Sequence, residues 1–326
     1  MSVDVLCLRP RIDFERANAL PAAPLTVAYH ALNDAEVIPL MKQARVLVIP
    51  AVGPKLNPES FENTAVKLVQ VTGAGVDRVD LPLLKGMGIA VANVPGGSNS
   101  AIAEYAVTAA STLLRRFAWA DAEIRAGNYQ TFRARMVSDN LCGLDGLLVG
   151  VIGLGTIGLA VAQAFHRAGC RVCYYDPAPR DAAAAGAMNA ESLSLERLLK
   201  SADVVTLHVP LLAATRSLIN ARELKQMKPG AILIQASRGG IVDEAALAQA
   251  LSSGHLGGAA VDVYETEPPA PDNALLSLAG DPARRVLFTP HIAGVTRQAA
   301  EYLYRSAWRN VERFILKNEL PQNCVQ

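Results

Sequence analysis

Residues 150–158 read Gly-Val-Ile-Gly-Leu-Gly-Thr-Ile-Gly, and after an amphipathic run the chain continues Arg-Val-Cys-Tyr-Tyr-Asp as far as Asp176. Leu147, Leu148, Val149, Val151 and Ile152 form an apolar strand-like run, while Ile157, Ala160, Val161, Ala164 and Phe165 recur at helical spacing. Strand, glycine turn, helix, second strand and terminal acid make a dinucleotide-binding unit. In such a unit Gly153 forms the tight turn, Gly155 lets backbone N–H groups approach a pyrophosphate, and Gly158 lets the helix pack close to the strand. The helix N-terminus then faces the phosphates through the amides of Thr156 and Ile157. Asp176, eighteen residues past Gly158, stands where an acid accepts hydrogen bonds from ribose hydroxyls and repels a 2′-phosphate. The sequence therefore predicts NAD(H) over NADP(H).

A chain of 326 residues exceeds what one core usually fills, so two domains are expected. A net charge of +1 with mixed acids and bases leaves no basic stripe for nucleic acid. The sequence shows no long apolar segment, and its N-terminus enters a strand-like alternation instead of a charged-then-apolar signal, so a soluble cytoplasmic protein is expected. Cys7, Cys142, Cys170, Cys173 and Cys324 are too scattered for a disulfide framework. Cys170 and Cys173 flank the second nucleotide-domain strand on opposite faces with no second ligand pair, so no metal site is expected.

The first hundred residues alternate strand-like runs (Val3 to Leu8, Leu25 to Tyr29, Val46 to Ile49, Leu68 to Val71, Ile89 to Val91) with amphipathic segments such as Asn33 to Lys42 and Asn57 to Val66. A helical stretch, Ser100 to Arg115, leads toward the glycine turn. After Asp176 the alternation resumes with strands at Val204 to Leu207, Ala231 to Gln235, Gly258 to Asp262 and Val286 to Thr289. Helices fit at Leu195 to Lys200, Ala221 to Gln226, Asp243 to Ser253 and Arg297 to Leu316. The pattern predicts an α/β protein with parallel sheets. Because the nucleotide unit begins mid-chain, the chain is expected to leave one domain, build a second and return.

Three chemically able side chains follow strand ends: Arg238 in Ala236-Ser237-Arg238-Gly239-Gly240, Glu267 in Asp262-Val263-Tyr264-Glu265-Thr266-Glu267-Pro268, and His291 in Thr289-Pro290-His291-Ile292-Ala293-Gly294. In an open parallel sheet the carboxyl ends of the strands line one crevice, where the glycine turn also sits. A guanidinium, a carboxylate and an imidazole can converge there.

On these residues the chain resembles the D-isomer-specific 2-hydroxyacid dehydrogenase family over nearly its whole length. Further matches are Leu207-His208-Val209-Pro210, Met227-Lys228-Pro229-Gly230, Ser237 through Asp243, Gly73-Ala74-Gly75-Val76-Asp77, Asn93-Val94-Pro95-Gly96 and Ala103-Glu104. The resemblance implies two doubly wound parallel-sheet domains, a Rossmann NAD-binding domain at 100–292 inserted in a flavodoxin-like substrate domain at 1–99 and 293–326. It implies hydride transfer between NAD(H) and a small 2-keto acid or its D-2-hydroxy acid. Arg238 would bind the substrate carboxylate and polarise its carbonyl, and the amides of Gly73, Ala74, Gly75 and Val76 would take the carboxylate's other oxygen. His291 would exchange the proton. Glu267 would hold its ring and favour the imidazolium, with Glu265 a bystander. His208, Val209, Pro210, Thr215, Ala236, Ser237 and Gly294 would line the cofactor, and Asp262 would reach its carboxamide in preference to capping a strand end. Glu104 reads as a buried structural acid.

Substrate size is read from the loop after the third strand. Pro50-Ala51-Val52-Gly53-Pro54 and Val71-Thr72 carry no cation, which disfavours a phosphorylated substrate, and Val52 and Gly53 suggest a small or apolar wall. Arg133 and Arg135 lie in a segment that this family sends toward a partner subunit; they are expected to be solvated or paired across a homodimer rather than to bind a second substrate anion. Domain closure on the substrate is expected. Two other readings are an NAD(H)-sensing corepressor-like interaction module and an NAD-dependent phosphite-type dehydrogenase.

Overall fold

Val46–Ile49 and Leu68–Val71 lie side by side at the centre of a sheet, buried throughout, as near-continuous apolar runs do when helices cover both faces. The computed structural model describes residues 3–325 except 23, 179, 181 and 280–284. The chain divides into two units, residues 1–98 with 295–326 and residues 99–294.

The first unit runs β1 (Val5–Cys7), α1 (Arg11–Arg16), β2 (Val27–Tyr29), α2 (Val37–Met41), β3 (Val46–Ile49), β4 (Leu68–Val71), α3 (Leu81–Gly86) and β5 (Ala90–Ala92). Its strands pair in the order β2-β1-β3-β4-β5, all parallel, the flavodoxin-like arrangement. Alternation divides the core by face. Leu47, Ile49, Val69 and Val71 pack on one side with Val37, Met41 and Leu84; Val46, Val48 and Leu68 pack on the other with Phe14.

The second unit contains α4 (Asn99–Arg115), α5 (Phe117–Arg125), α6 (Tyr129–Ser138), β6 (Leu148–Ile152), α7 (Thr156–Arg167), β7 (Arg171–Tyr175), α8 (Ala182–Gly186), β8 (Glu191–Ser192), α9 (Leu195–Ser201), β9 (Val204–Leu207), α10 (Ala221–Gln226), β10 (Ile232–Gln235), α11 (Glu244–Ser252), β11 (Gly258–Val261) and β12 (Val286–Phe288). The strand order is β12-β11-β10-β9-β6-β7-β8, with every pair parallel. The order reverses between β6 and β9, and doubly wound sheets bind ligands at that point, outside the strands' carboxyl ends. Cys170 and Cys173 fall in the two cores on opposite faces of this sheet; burial pushes both thiols up to about 11.

The chain returns to the first unit as α12 (Arg297–Leu316). Tyr304 and Trp308 of this helix seat their rings 4.8 and 5.2 Å from that of Phe14, closing the second face of the five-stranded sheet. Among the described residues no helix is long and apolar enough to cross a membrane, and no cluster of three or more His, Cys, Asp or Glu could hold a metal.

One segment departs from its sequence pattern. Asn57 to Val66 forms only a 3-10 turn at Pro58–Phe61, capped by the Asn57 side chain. Asn63 stands at φ +55, a left-handed conformation that stops a helix from continuing.

Candidate active site

The glycine turn after β6 is built by close approach. Gly153 adopts φ +90, and a Cβ there would sit 2.7 Å from the His208 carbonyl oxygen; one on Gly158 would sit 1.8 Å from the Gly153 carbonyl oxygen. A side chain at Gly153 would push against the loop after β9, and one at Gly158 would push α7 off the turn. Gly155 is different: it caps α7 without a side-chain hydrogen bond, and the place of its Cβ has no heavy atom within 4 Å. The first N–H groups of α7, at Thr156 and Ile157, therefore open on free space, and the residues fit a dinucleotide pyrophosphate.

Asp176 ends β7 with its side chain only 3% exposed, its Oδ2 2.7 Å from the Arg180 Nε. Oδ2 also accepts the Leu154 N–H at 2.8 Å, and Oδ1 accepts that of Ala178 at 2.9 Å. Burial works to raise its pKa, but Arg180 and the two N–H groups outweigh this and hold it below the usual carboxylate range. The acid thus organises the glycine turn through Leu154.

His208, Val209 and Pro210 follow β9. The Val209 side chain lies against Gly153, and His208 places Nε2 2.8 Å from the Thr206 hydroxyl. Its Nδ1 is buried with no hydrogen-bond partner among the described residues. Burial pushes its pKa down to about 3, so the ring stays neutral and cannot serve as a proton donor near pH 7. Thr215 donates to the Pro210 carbonyl at 2.6 Å and accepts the Leu212 N–H at 2.8 Å; its hydroxyl braces the loop.

The loops after β10, β11 and β12 carry the remaining candidates. Gln235 ends β10, buried, and uses its amide nitrogen on the Arg238 carbonyl at 2.9 Å and its amide oxygen on the Ser237 hydroxyl at 2.8 Å. Arg238 lies half-buried behind Ala236 and Ser237, with Nη1 donating to the Ser237 carbonyl at 2.8 Å. Its neighbour Gly239 meets the loop after β11 so closely that a Cβ would lie 1.8 Å from the Tyr264 carbonyl oxygen. In that loop Glu267 accepts the Tyr264 N–H at 3.1 Å, and its carboxylate meets His291 Nδ1 at 2.8 and 3.1 Å. Glu265 is turned outward to Arg216 at 3.1 Å.

His291 stands at φ +56, which a residue with a Cβ adopts only when its surroundings hold it there. Asp262 does the holding. Its carbonyl accepts the His291 N–H at 2.8 Å, and its carboxylate accepts those of Ile292 and Ala293 at 2.8 and 2.9 Å. Asp262 is 1% exposed, and these contacts make it a cap for the loop. Gly294 ends the loop and the unit.

In the first unit, Asn93 donates to the Ala74 carbonyl at 2.7 Å, and the Val94 N–H reaches the Gly73 carbonyl at 2.8 Å. Among the described residues no main-chain carbonyl takes the N–H groups of Ala74, Gly75 and Val76. Val52 and Gly53 are exposed. The cation missing from the Pro50–Pro54 stretch is supplied from elsewhere: buried Arg78 donates Nε to the Pro54 carbonyl and Nη1 to the Pro50 carbonyl, both at 2.9 Å, and burial lowers its pKa. An arginine following Gly-x-Gly-Val-Asp carries no sequence mark of burial. Gln235 did leave one, as a polar residue ending an otherwise apolar strand. Arg133 and Arg135 are exposed on α6, the latter 5.1 Å from the Phe132 ring. Glu104 is exposed on α4 and not buried as its motif suggested.

Residues 107–293 match the family model described as D-isomer specific 2-hydroxyacid dehydrogenase, NAD binding domain. A glyoxylate reductase of Thermococcus litoralis is 34% identical over 281 residues, 85% of this chain and 82% of that protein. A D-3-phosphoglycerate dehydrogenase of Archaeoglobus fulgidus is 35% identical over 289 residues, 88% of this chain; the match spans about half of that longer relative, 52%. Among solved structures, a protein from Thermus thermophilus superposes with a TM-score of 0.83 at 32% identity, covering 99% of this chain and 100% of the other.

Proposed function

Because this chain belongs to the family of D-isomer-specific 2-hydroxyacid dehydrogenases, we propose that it interconverts a small 2-keto acid and the corresponding D-2-hydroxy acid. The observation that carries this reading is His291 Nδ1 bound to the Glu267 carboxylate at 2.8 Å, on the strand-end edge that also bears the glycine turn. NADH, when bound, supplies the hydride that reduces the keto carbon.

The chain's own residues do the rest. With Nδ1 committed to Glu267, Nε2 is the nitrogen left to give a proton to the carbonyl oxygen during reduction and to take one from the hydroxyl during oxidation. Glu267 holds the ring through Nδ1 and so orients Nε2. Arg238 binds the substrate carboxylate through its planar fork.

We assign a short, unphosphorylated substrate such as glyoxylate, hydroxypyruvate or a pyruvate-like acid. Support comes from the Pro50–Pro54 loop, where Val52 presents an apolar surface and two donor nitrogens of Arg78 are already engaged by carbonyls. A homodimer is part of the reading: α5 buries none of its residues, while Phe117, Ile124 and Val137 on α5 and α6 are exposed, which suits a second copy. Five free cysteines suit a reducing, cytoplasmic setting.

The test is NADH oxidation by purified protein against a panel of 2-keto acids, with His291→Asn as control. Turnover of a short keto acid that vanishes in the variant is expected. Tight NADH binding without turnover on any member of the panel would sink the assignment. Light scattering that gives a monomer at micromolar concentration would remove the dimer.

A further inference from the structure

The loop that carries His291 hangs from one residue, and that residue is itself held by a chain of hydroxyls. Three consecutive N–H groups, those of His291, Ile292 and Ala293, are accepted by the carbonyl and carboxylate of Asp262. Thr289 donates its hydroxyl to the Asp262 Oδ1 at 2.6 Å, and the Tyr105 hydroxyl on α4 lies 2.7 Å from the Thr289 oxygen. A threonine hydroxyl has a single proton, and here it is spent on Asp262. The proton between Tyr105 and Thr289 is therefore the tyrosine's, and the chain runs in one direction: Tyr105 to Thr289 to Asp262.

Hydrogen bonds in series polarise one another, so each donor strengthens the next. Removing the first leaves Thr289 with an unsatisfied acceptor and a freer rotor. The consequence reaches His291, whose φ of +56 persists only while its surroundings hold it. Tyr264 is the other hydroxyl packed here; it shares its one proton between the Val261 and Thr289 carbonyls at 3.2 and 3.3 Å and fixes the main chain at Thr289 without touching the Asp262 carboxylate. Burial pushes the Tyr105 phenol up to about 12, so it remains a donor throughout any ordinary working pH.

We infer that Tyr105 is a positioning residue for the acid–base histidine, acting through Thr289 and Asp262 to hold the His291 loop against Glu267. The inference rests on the reading of His291 as the proton carrier. A loosened loop weakens the His291–Glu267 contact, so the ring is presented less accurately to the carbonyl oxygen and proton exchange slows.

The experiment compares Tyr105→Phe, Thr289→Ser, Thr289→Val and the double variant Y105F/T289V for kcat, KM and NADH affinity by fluorescence. For Y105F the expected result is a kcat lower by about tenfold, the worth of one hydrogen bond, with KM and NADH affinity little changed. T289S keeps the hydroxyl and should retain activity, T289V should resemble Y105F, and the double variant should be no worse than T289V because both changes cut one chain. Wild-type kcat in Y105F, or multiplied losses in the double variant, would overturn the inference. So would loss of NADH binding in both Y105F and T289V, which marks a merely structural role. His291→Asn serves separately: activity surviving in that variant would remove the acid–base reading itself, whatever Tyr105 does.

Discussion

His291 Nδ1 lies 2.8 Å from Oε2 and 3.1 Å from Oε1 of Glu267, so one ring nitrogen is tied to a carboxylate and the other is left for chemistry. Glu267→Gln keeps an acceptor for that nitrogen but removes the charge. The ring keeps a hydrogen bond but loses the carboxylate charge that steadies it while the proton is exchanged. A fall in reductive kcat of roughly 10- to 100-fold near neutrality is expected. Steady-state rates at neutral pH check this; a wild-type reductive kcat would show that Glu267 does not govern the ring.

Gly158→Ala forces a Cβ to within 1.8 Å of the Gly153 carbonyl oxygen, a contact no rotamer relieves. The first turn of α7 must shift away from the glycine loop. NADH affinity should drop by at least tenfold, and stability by about 2 kcal/mol as the packing is forced apart. Fluorescence titration and urea unfolding measure the two effects, and a variant normal in both would mean that α7 does not need this approach.

His208 makes the protein acid-sensitive. Its pKa in the folded state is pushed down to about 3 by burial, whereas an unfolded histidine titrates near about 6.5. Between those values the unfolded chain binds the extra proton, so stability is full above the upper one and declines as pH falls through the window. The decline approaches about 1.4 kcal/mol per pH unit for this group. Urea midpoints at pH 7 and pH 5 should differ more for the wild type than for His208→Asn; equal differences would show that the ring is not kept neutral.

Asp176→Ala removes the charge that opposes a 2′-phosphate while leaving Arg180, its partner at 2.7 Å, in place as a cation. The NADH to NADPH ratio of kcat/KM should fall by roughly tenfold or more, one charge contact's worth of discrimination. The same change strips acceptors from Leu154 and Ala178, so NADH affinity should weaken as well. An unchanged ratio would place the ribose elsewhere.

The elements that depend on local spacing were legible. Continuous apolar runs became buried parallel strands, the glycines and Asp176 fell where a strand–turn–helix–strand unit puts them, and Val204–Leu207, Ala221–Gln226 and Arg297–Leu316 occupy the residues their periodicity marks. Period two, period 3.6 and the demand for a missing Cβ are properties of a few neighbouring residues. Asn57 to Val66 read poorly because a single left-handed residue, Asn63, outweighs an amphipathic pattern.

The amino-acid sequence by itself thus determined an alternating α/β chain with a nucleotide turn and an arginine, a glutamate and a histidine each following a strand. Tertiary structure alone decided how those groups are held. Asp262 became the anchor of the His291 loop, Arg78 the brace of the Pro50–Pro54 loop, and Tyr105 the head of a hydrogen-bond chain whose next member, Thr289, is 184 residues away. Which lone pair accepts which proton depends on where packed elements bring distant side chains, and no spacing along the chain encodes that.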